Sequence, residues 1–237
     1  MRYLLIHTDD PDRSSEWDDE SRAAFTSWLE DTVRAGVNLH GSRLRPPSDA
    51  TTIRSRHDEL LITDGPFVET KEHVAGYDVL ECASLDEAVE WAGRHPSSWF
   101  GAIEVRALRP GAQAVPLPDQ VEGKIRYLML LGSEPGADPG EFGGTEAVAP
   151  WVAEMDGRGI RLYGSELEPP DSAHTVRVRE KRTIVTDGPF AETKEQIGGF
   201  DVLECADLDE AIEVAGRHPL AHFGMLEVRP FWPFEGD

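Results

Sequence analysis

The sequence is short of positive charge. Its 23 Lys and Arg face 45 Asp and Glu, a formal net charge of −22. Such a surface repels phosphate backbones and anionic headgroups, because Lys and Arg supply the attraction to both. Direct DNA or RNA binding and electrostatic docking on a membrane are therefore not expected, whereas a basic protein partner stays open. Cysteine is nearly absent, with Cys82 and Cys205 the two in the chain. They form no Cys-x-x-Cys pair and no Cys/His zinc spacing. Each follows an apolar run and reads as a buried, inert thiol of a reducing compartment; spacing alone does not decide a disulfide between them. Long hydrophobic runs are missing too. Nothing approaches the ~20 apolar residues of a membrane span, and the run after Met1 is too short for a signal peptide. A cytoplasmic location is the expectation. There is no glycine-rich phosphate loop, nucleophile elbow or His-Glu-x-x-His, so neither a cofactor nor a metal is expected.

What the chain does have is a repeat. Leu61 to Arg106 matches Ile184 to Arg229 without a gap and with most positions identical. A repeat of this kind fixes the architecture before any local reading. At its centre, Asp64-Gly65-Pro66-Phe67 with Glu69-Thr70-Lys71-Glu72 recurs as Asp187-Gly188-Pro189-Phe190 with Glu192-Thr193-Lys194-Glu195. Two units follow, 1–107 and 125–237, joined by a Pro/Gly-rich linker over 108–124.

Within the first unit, Arg2 to His7 reads as a short buried strand. Ser21 to Ala35 reads as a helix whose apolar face is Ala24, Phe25, Trp28, Leu29, Thr32 and Val33, closed by Gly36. Val37 to Arg45 is a strand. Thr51 to Arg56 and Glu59 to Thr63 form a hairpin that ends in the Asp-Gly-Pro-Phe motif. Gly76 to Cys82 is a strand, and Ser84 with Glu87 is a capping box that starts a helix stopped by Pro96. Phe100 to Arg106 closes the unit. The second unit repeats this order from Ile125, with a helix starting near Ala147, a hairpin of Thr175 to Val178 with Thr183 to Thr186, and Asp207 as the later helix cap. The tail Phe231-Trp232-Pro233-Phe234 is aromatic enough to need a packing partner.

The order β-α-β-hairpin-β-α-β is the ferredoxin-like α+β pattern with an insert. A four-stranded sheet with both helices on one face leaves the other bare. The expectation is thus an intrachain pseudo-dimer, its sheets face to face or joined edge to edge as a barrel, with any cavity between the units.

The string Asp-Gly-Pro-Phe, Glu-Thr-Lys-Glu, a Gly-aromatic strand, Leu-Asp-Glu-Ala and Glu-Val-Arg resembles the DGPF branch of the YCII-related family. The resemblance covers roughly Arg2 to Arg106 and Arg126 to Arg229. It implies a dimeric α+β barrel, here as two subunits fused. Some members are thought to use a His–Asp dyad, with the His on the first helix and the Asp near its end. On the helix-ending Gly36 and Gly159, that His falls at Phe25 and Val148 and the Asp near Arg34 and Gly157, so the dyad is missing at those positions. The resemblance also suggests a link to sigma-factor signalling.

The candidate catalytic residues are Asp64 and Asp187, carboxylates that burial could tune as general bases; each could equally fix its turn. Glu69, Lys71, Glu72, Glu192, Lys194 and Glu195 could bind an anionic ligand and shuttle a proton, or form a surface ion-pair network. Glu104 with Arg106, and Glu227 with Arg229, share one face of the last strand of each unit and could line a pocket or pair across strands. Asp78, Glu81, Asp201 and Glu204 interrupt apolar strands. His95 and His218 match and suit a helix's last turn. His7 ends a central strand but has Leu131 as its counterpart, so a two-fold site cannot use it, though a single site could; the plain reading is a structural histidine. The expected function is binding of a small organic molecule, with cofactor-free lyase- or isomerase-type proton transfer if the chain is catalytic. The alternative is a regulatory or interaction module, and a further homodimer stays open.

Overall fold

The computed structural model describes residues 1–13, 18–57, 59–67, 72–110, 116–133, 144–191 and 195–232. The first half of the chain forms β1 (Arg2–Asp9), α1 (Asp19–Ala35), β2 (Asn38–Arg43), the hairpin β3 (Thr51–Arg56) and β4 (Glu59–Asp64), β5 (His73–Glu81), α2 (Leu85–Arg94), the short α3 (Ser97–Phe100) and β6 (Ala102–Ala107). The second half forms β7 (Ile125–Ser133), α4 (Val148–Gly157), β8 (Arg161–Glu166), the hairpin β9 (His174–Arg179) and β10 (Arg182–Asp187), β11 (Gln196–Cys205), α5 (Leu208–Gly216) and β12 (Met225–Pro230). The α+β class and the ferredoxin-like order expected from the sequence are thus present in both halves.

Local chemistry sets the element ends. Asp18 caps α1, its Oδ1 accepting the Ser21 N–H at 2.9 Å, and Gly36 closes the helix at φ 70°. Ser84 Oγ and Asp207 Oδ1 cap α2 and α5 by accepting the N–H of Glu87 and Glu210. The two glutamates reach back to the N–H of Ala83 and Ala206, one residue before the cap. That is the reciprocal logic of a capping box shifted by one position. In the second hairpin Glu180 and Lys181 both have positive φ, as a two-residue type I′ turn requires.

The face of α1 is a correction. Its buried residues are Ser21, Trp28 and Thr32, while Leu29 and Val33 are exposed. Trp28 explains the rotation: its Nε1–H donates to the Trp91 carbonyl at 2.9 Å. Burying the largest side chain with its polar handle satisfied sets the helix angle against two smaller aliphatic side chains.

The sheets are the larger correction. Each has six antiparallel strands rather than four, in the orders β10-β9-β6-β1-β5-β2 and β4-β3-β12-β7-β11-β8. Each hairpin joins the sheet of the other half. Ile103, Glu104 and Val105 on β6 face Val176, Thr175 and His174 on β9. Leu226, Glu227 and Val228 on β12 face Ile53, Thr52 and Thr51 on β3. The compact units are consequently not the contiguous spans 1–107 and 125–237. One gathers Met1–Arg43, Thr70–Pro116 and Leu167–Glu192, and the other Leu44–Glu69, Leu117–Glu166 and Thr193–Asp237. Each core shows the exchange: Val176 packs with Tyr3, Leu5, Trp28 and Leu80 in the first unit, and Ile53 with Tyr127, Met129, Trp151 and Leu203 in the second. Of the aromatic tail, Phe231 bridges Leu44 within the second unit, and residues 233–237 lie outside the described residues.

Candidate functional site

The Asp-Gly-Pro-Phe motif ends the exchanged hairpin in each unit. Asp64 and Asp187 are the last residues of β4 and β10, and both are solvent-exposed. Asp187 has His174 Nε2 at 3.4 Å. The next residue is the anchored one. Gly65 N–H donates to the Ala50 carbonyl, and the Gly65 carbonyl accepts from Thr52 Oγ1 at 2.7 Å. Gly188 does the same with Ala173 and Thr175. Their φ values of 98° and 94° lie where side-chain-bearing residues are strained.

The Glu–Arg pairs hold the same turn. Glu227 and Arg229 are both buried and in direct ion contact, and Glu227 Oε2 accepts the backbone N–H of Phe67 at 3.2 Å. Glu104 and Arg106 repeat this in the first unit, with Phe190 N–H donating to Glu104 Oε2 at 3.1 Å. Of the acidic-basic run, Glu72 accepts two bonds from Arg177 Nη2 at 3.0 Å and one from Thr8 Oγ1 at 3.2 Å. Glu195 is half-buried. Glu69, Lys71, Glu192 and Lys194 lie outside the described residues.

The structure assembles another constellation from residues that look unrelated in sequence. Register places Leu5 of β1 opposite Asp78 of β5 and His7 opposite Gly76. Positions two apart share a sheet face, so the His7 imidazole and the Asp78 carboxylate meet on the side that carries α1 and α2. His7 Nε2 lies 2.9 Å from Asp78 Oδ2. Its Nδ1 is 3.2 Å from Ser97 Oγ at the start of α3. His95 closes the group edge-on to His7, with ring centroids 4.3 Å apart and Trp28 and Phe25 behind it. All four polar residues are buried. Gly41 on the edge strand β2 makes room: a Cβ there would collide with the Asp78 carboxylate.

Burial pushes the Asp78 carboxyl up, with His7 beside it opposing the shift, and holds His95 well below the usual imidazole range. His95 is therefore neutral, and its tautomer is fixed: Nδ1 accepts the Ser97 N–H at 3.1 Å, so the ring proton sits on Nε2. The ligand atoms of His7, Asp78 and His95 lie within 4.8 Å of one another, close enough to surround an ion. To ligate through Nε2, however, His95 would have to move its proton to Nδ1 and break the Ser97 bond. The donor set suits proton handling better than metal binding.

The second unit carries no equivalent. Leu131 stands for His7, Leu220 for Ser97, and Asp201 is ion-paired to Arg161 Nε at 2.5 Å. Sequence reasoning took His7, Asp78 and His95 one at a time, with a structural reading for the two histidines. The signal lay in the combination: His7 and Ser97, whose counterparts are Leu131 and Leu220, beside Asp78 and His95, which recur as Asp201 and His218.

No helix among the described residues is long and apolar enough to cross a membrane. Among known proteins, the Uncharacterized protein R00369 of Rhizobium meliloti (strain 1021) is 34% identical over 122 residues, covering 47% of this chain and 97% of the relative. A solved structure described as a candidate chlorite dismutase, TA0507, is similar with a TM-score of 0.44 at 10% identity, over 98% of this chain and 94% of that one. The family model of the YCII-related domain matches residues 1–111 and 166–235, and the chain belongs to that family.

Proposed function

We propose that this protein binds a small organic molecule beside His7 in its first unit and moves a proton to or from it without a cofactor, the chemistry of a lyase or isomerase. The observation that carries this reading is the His7 imidazole, buried, with Asp78 on one nitrogen and Ser97 on the other. A base must be oriented and must exchange its proton readily. Asp78 and Ser97 hold the ring between them and orient it. The reading moves the proton-transfer role from Asp64 and Asp187, which face solvent, to a dyad on strands. It also replaces the helix-borne dyad implied by the family resemblance: Phe25, at that histidine's position, packs its ring against His95 at 5.5 Å.

The order Ser97–His7–Asp78 also invites a nucleophilic serine. The backbone argues against it. Ser97 N–H is given to His95 Nδ1 and Ser98 N–H to the His95 carbonyl, so the amides nearest Ser97 Oγ are not available as an oxyanion hole.

The test is a thermal-shift screen of a metabolite panel against wild type, His7→Gln and Asp78→Asn. A ligand at a hundredfold excess over its Kd adds about 2.7 kcal/mol. Stabilisation of wild type that both variants lose, with Asp64→Asn/Asp187→Asn retaining it, supports the dyad. Stabilisation lost only in the Asp64/Asp187 variant would return the site to the hairpin motif.

A further inference from the structure

Resting on that reading of His7, we propose that Arg43 is the anchor for an anionic group of the ligand, making the substrate class a small organic carboxylate. The argument is one of register. Across β1, β5 and β2, His7 faces Gly76, and Gly76 faces Arg43. Residues directly opposite on antiparallel strands point to the same face, so Arg43 emerges on the side that holds His7 and Asp78. Gly76 between them contributes no side chain. Two strand spacings, roughly 10 Å, separate the backbones of His7 and Arg43. A long guanidinium arm spans much of that gap.

The next row inward is Leu5, Asp78 and Gly41. Gly41 is exposed at the sheet edge, so the carboxylate of Asp78 is reached from the β2 side, the side Arg43 flanks. Burial also lowers the Arg43 pKa, the mark of a cation held partly out of water, where its bonds to a carboxylate are stronger. Arginine presents five donors in a planar fork that matches a carboxylate, so it can hold an incoming anion while keeping a protein contact. In a chain of net charge −22, an anion needs such a local cation to enter. Asp9 opposes it on the same face, although burial pushes its carboxyl up and His73 lies opposite.

The second half shows the contrast. Glu166 faces Gly199, and Gly199 faces Leu131. Where the first unit has imidazole and guanidinium, the second has an alkyl group and a carboxylate, and Arg161 covers Asp201. Cation and base thus occur together in the first unit and are both replaced in the second.

The experiment follows the ring-15N histidine resonances of the full-length protein during titration with acetate, pyruvate and benzoate, each beside its neutral amide. The expected result is saturable movement of the His7 ring by at least one acid and binding of its amide at least about tenfold weaker. Arg43→Gln should weaken the acid by about tenfold or more, with Arg43→Lys in between, as loss of a charge-assisted bond implies. Glu166→Gln should change nothing. Amides that move His7 as strongly as acids would overturn the anion assignment while leaving the dyad standing. Acids that bind Arg43→Gln as well as wild type would do the same. If neither acids nor amides move the His7 ring, both readings fall.

Discussion

Replacing Glu227 by Ala removes one carboxylate from the buried Arg229 and leaves the Phe67 N–H without its acceptor. Breaking a buried pair from one side typically costs about 3–5 kcal/mol. A Glu227→Met/Arg229→Met double variant removes both charges and is expected to lose much less, the residue being the orphaned Phe67 amide at about 1–3 kcal/mol. Urea midpoints of the three proteins test the ordering; a single variant no worse than the double would mean the pair carries no turn. At the same scale, two buried groups of the second unit pull stability in opposite directions with pH. His218 is pushed down to about 4 by burial and by Arg161, so it contributes stability that is complete above its ordinary value of 6.5 and lost as pH falls towards 4. Asp201 is pushed up to about 6 by burial, against the pull of Arg161, and its contribution is complete below 3.8 and lost as pH rises through 6. Over pH 6.5 to 4 the two largely offset each other. His218→Gln should therefore make the protein gain stability on acidification across this window, by on the order of 3 kcal/mol relative to wild type, read from urea melts at both pH values. The sequence showed Asp201 and Glu227 as polar positions in apolar runs and His218 as a histidine in a helix's last turn. It did not show the register that brings Asp78 to His7, because that depends on which residues of β1 and β5 face each other and on the bulge between His7 and Thr8. The lack of a second copy counted against His7 only as long as a two-fold site was assumed.

At the scale of elements, the repeated turn is a backbone device. A Cβ at Gly65 or Gly188 would meet nothing within 4 Å, so the glycines are needed for their positive φ and not for space. Gly65→Ala and Gly188→Ala are each expected to cost about 1–2 kcal/mol through strain alone, with similar values at the two sites. Thermal unfolding measures both; a loss well above that range at one site would point to a contact the other lacks. Caps and hairpins were legible because their chemistry is local: Ser84 and Asp207 with their glutamates, or β-branched runs on either side of a short break. The buried face of α1 was legible at Trp28 and Thr32 but not at Leu29 and Val33, because the indole bond from Trp28 to Trp91 joins residues 63 positions apart.

For the whole molecule, the exchanged hairpins decide what can fold alone. A strand pattern shows that β3 and β9 must be flanked on one side by their hairpin partner, and it is silent on whose sheet takes the other side. Both β6 and β12 are chemically suited, since the halves are near copies. In the intact chain β9 pairs with β6 and β3 with β12. A half cut at the linker keeps a hairpin with no recipient and a sheet with a vacant edge, a template for another copy. Residues 1–107 expressed alone are therefore expected to dimerise by mutual hairpin exchange, with Ile53 entering a partner's core. Dilution should cost that dimer its stability by mass action, whereas the intact chain, with the exchange made covalently, should melt at a concentration-independent temperature. Sedimentation velocity with thermal melts over a hundredfold range of concentration tests this. A stable monomer of 1–107 would mean that the hairpin can fold back onto its own sheet, and that the exchange is only one of two available packings.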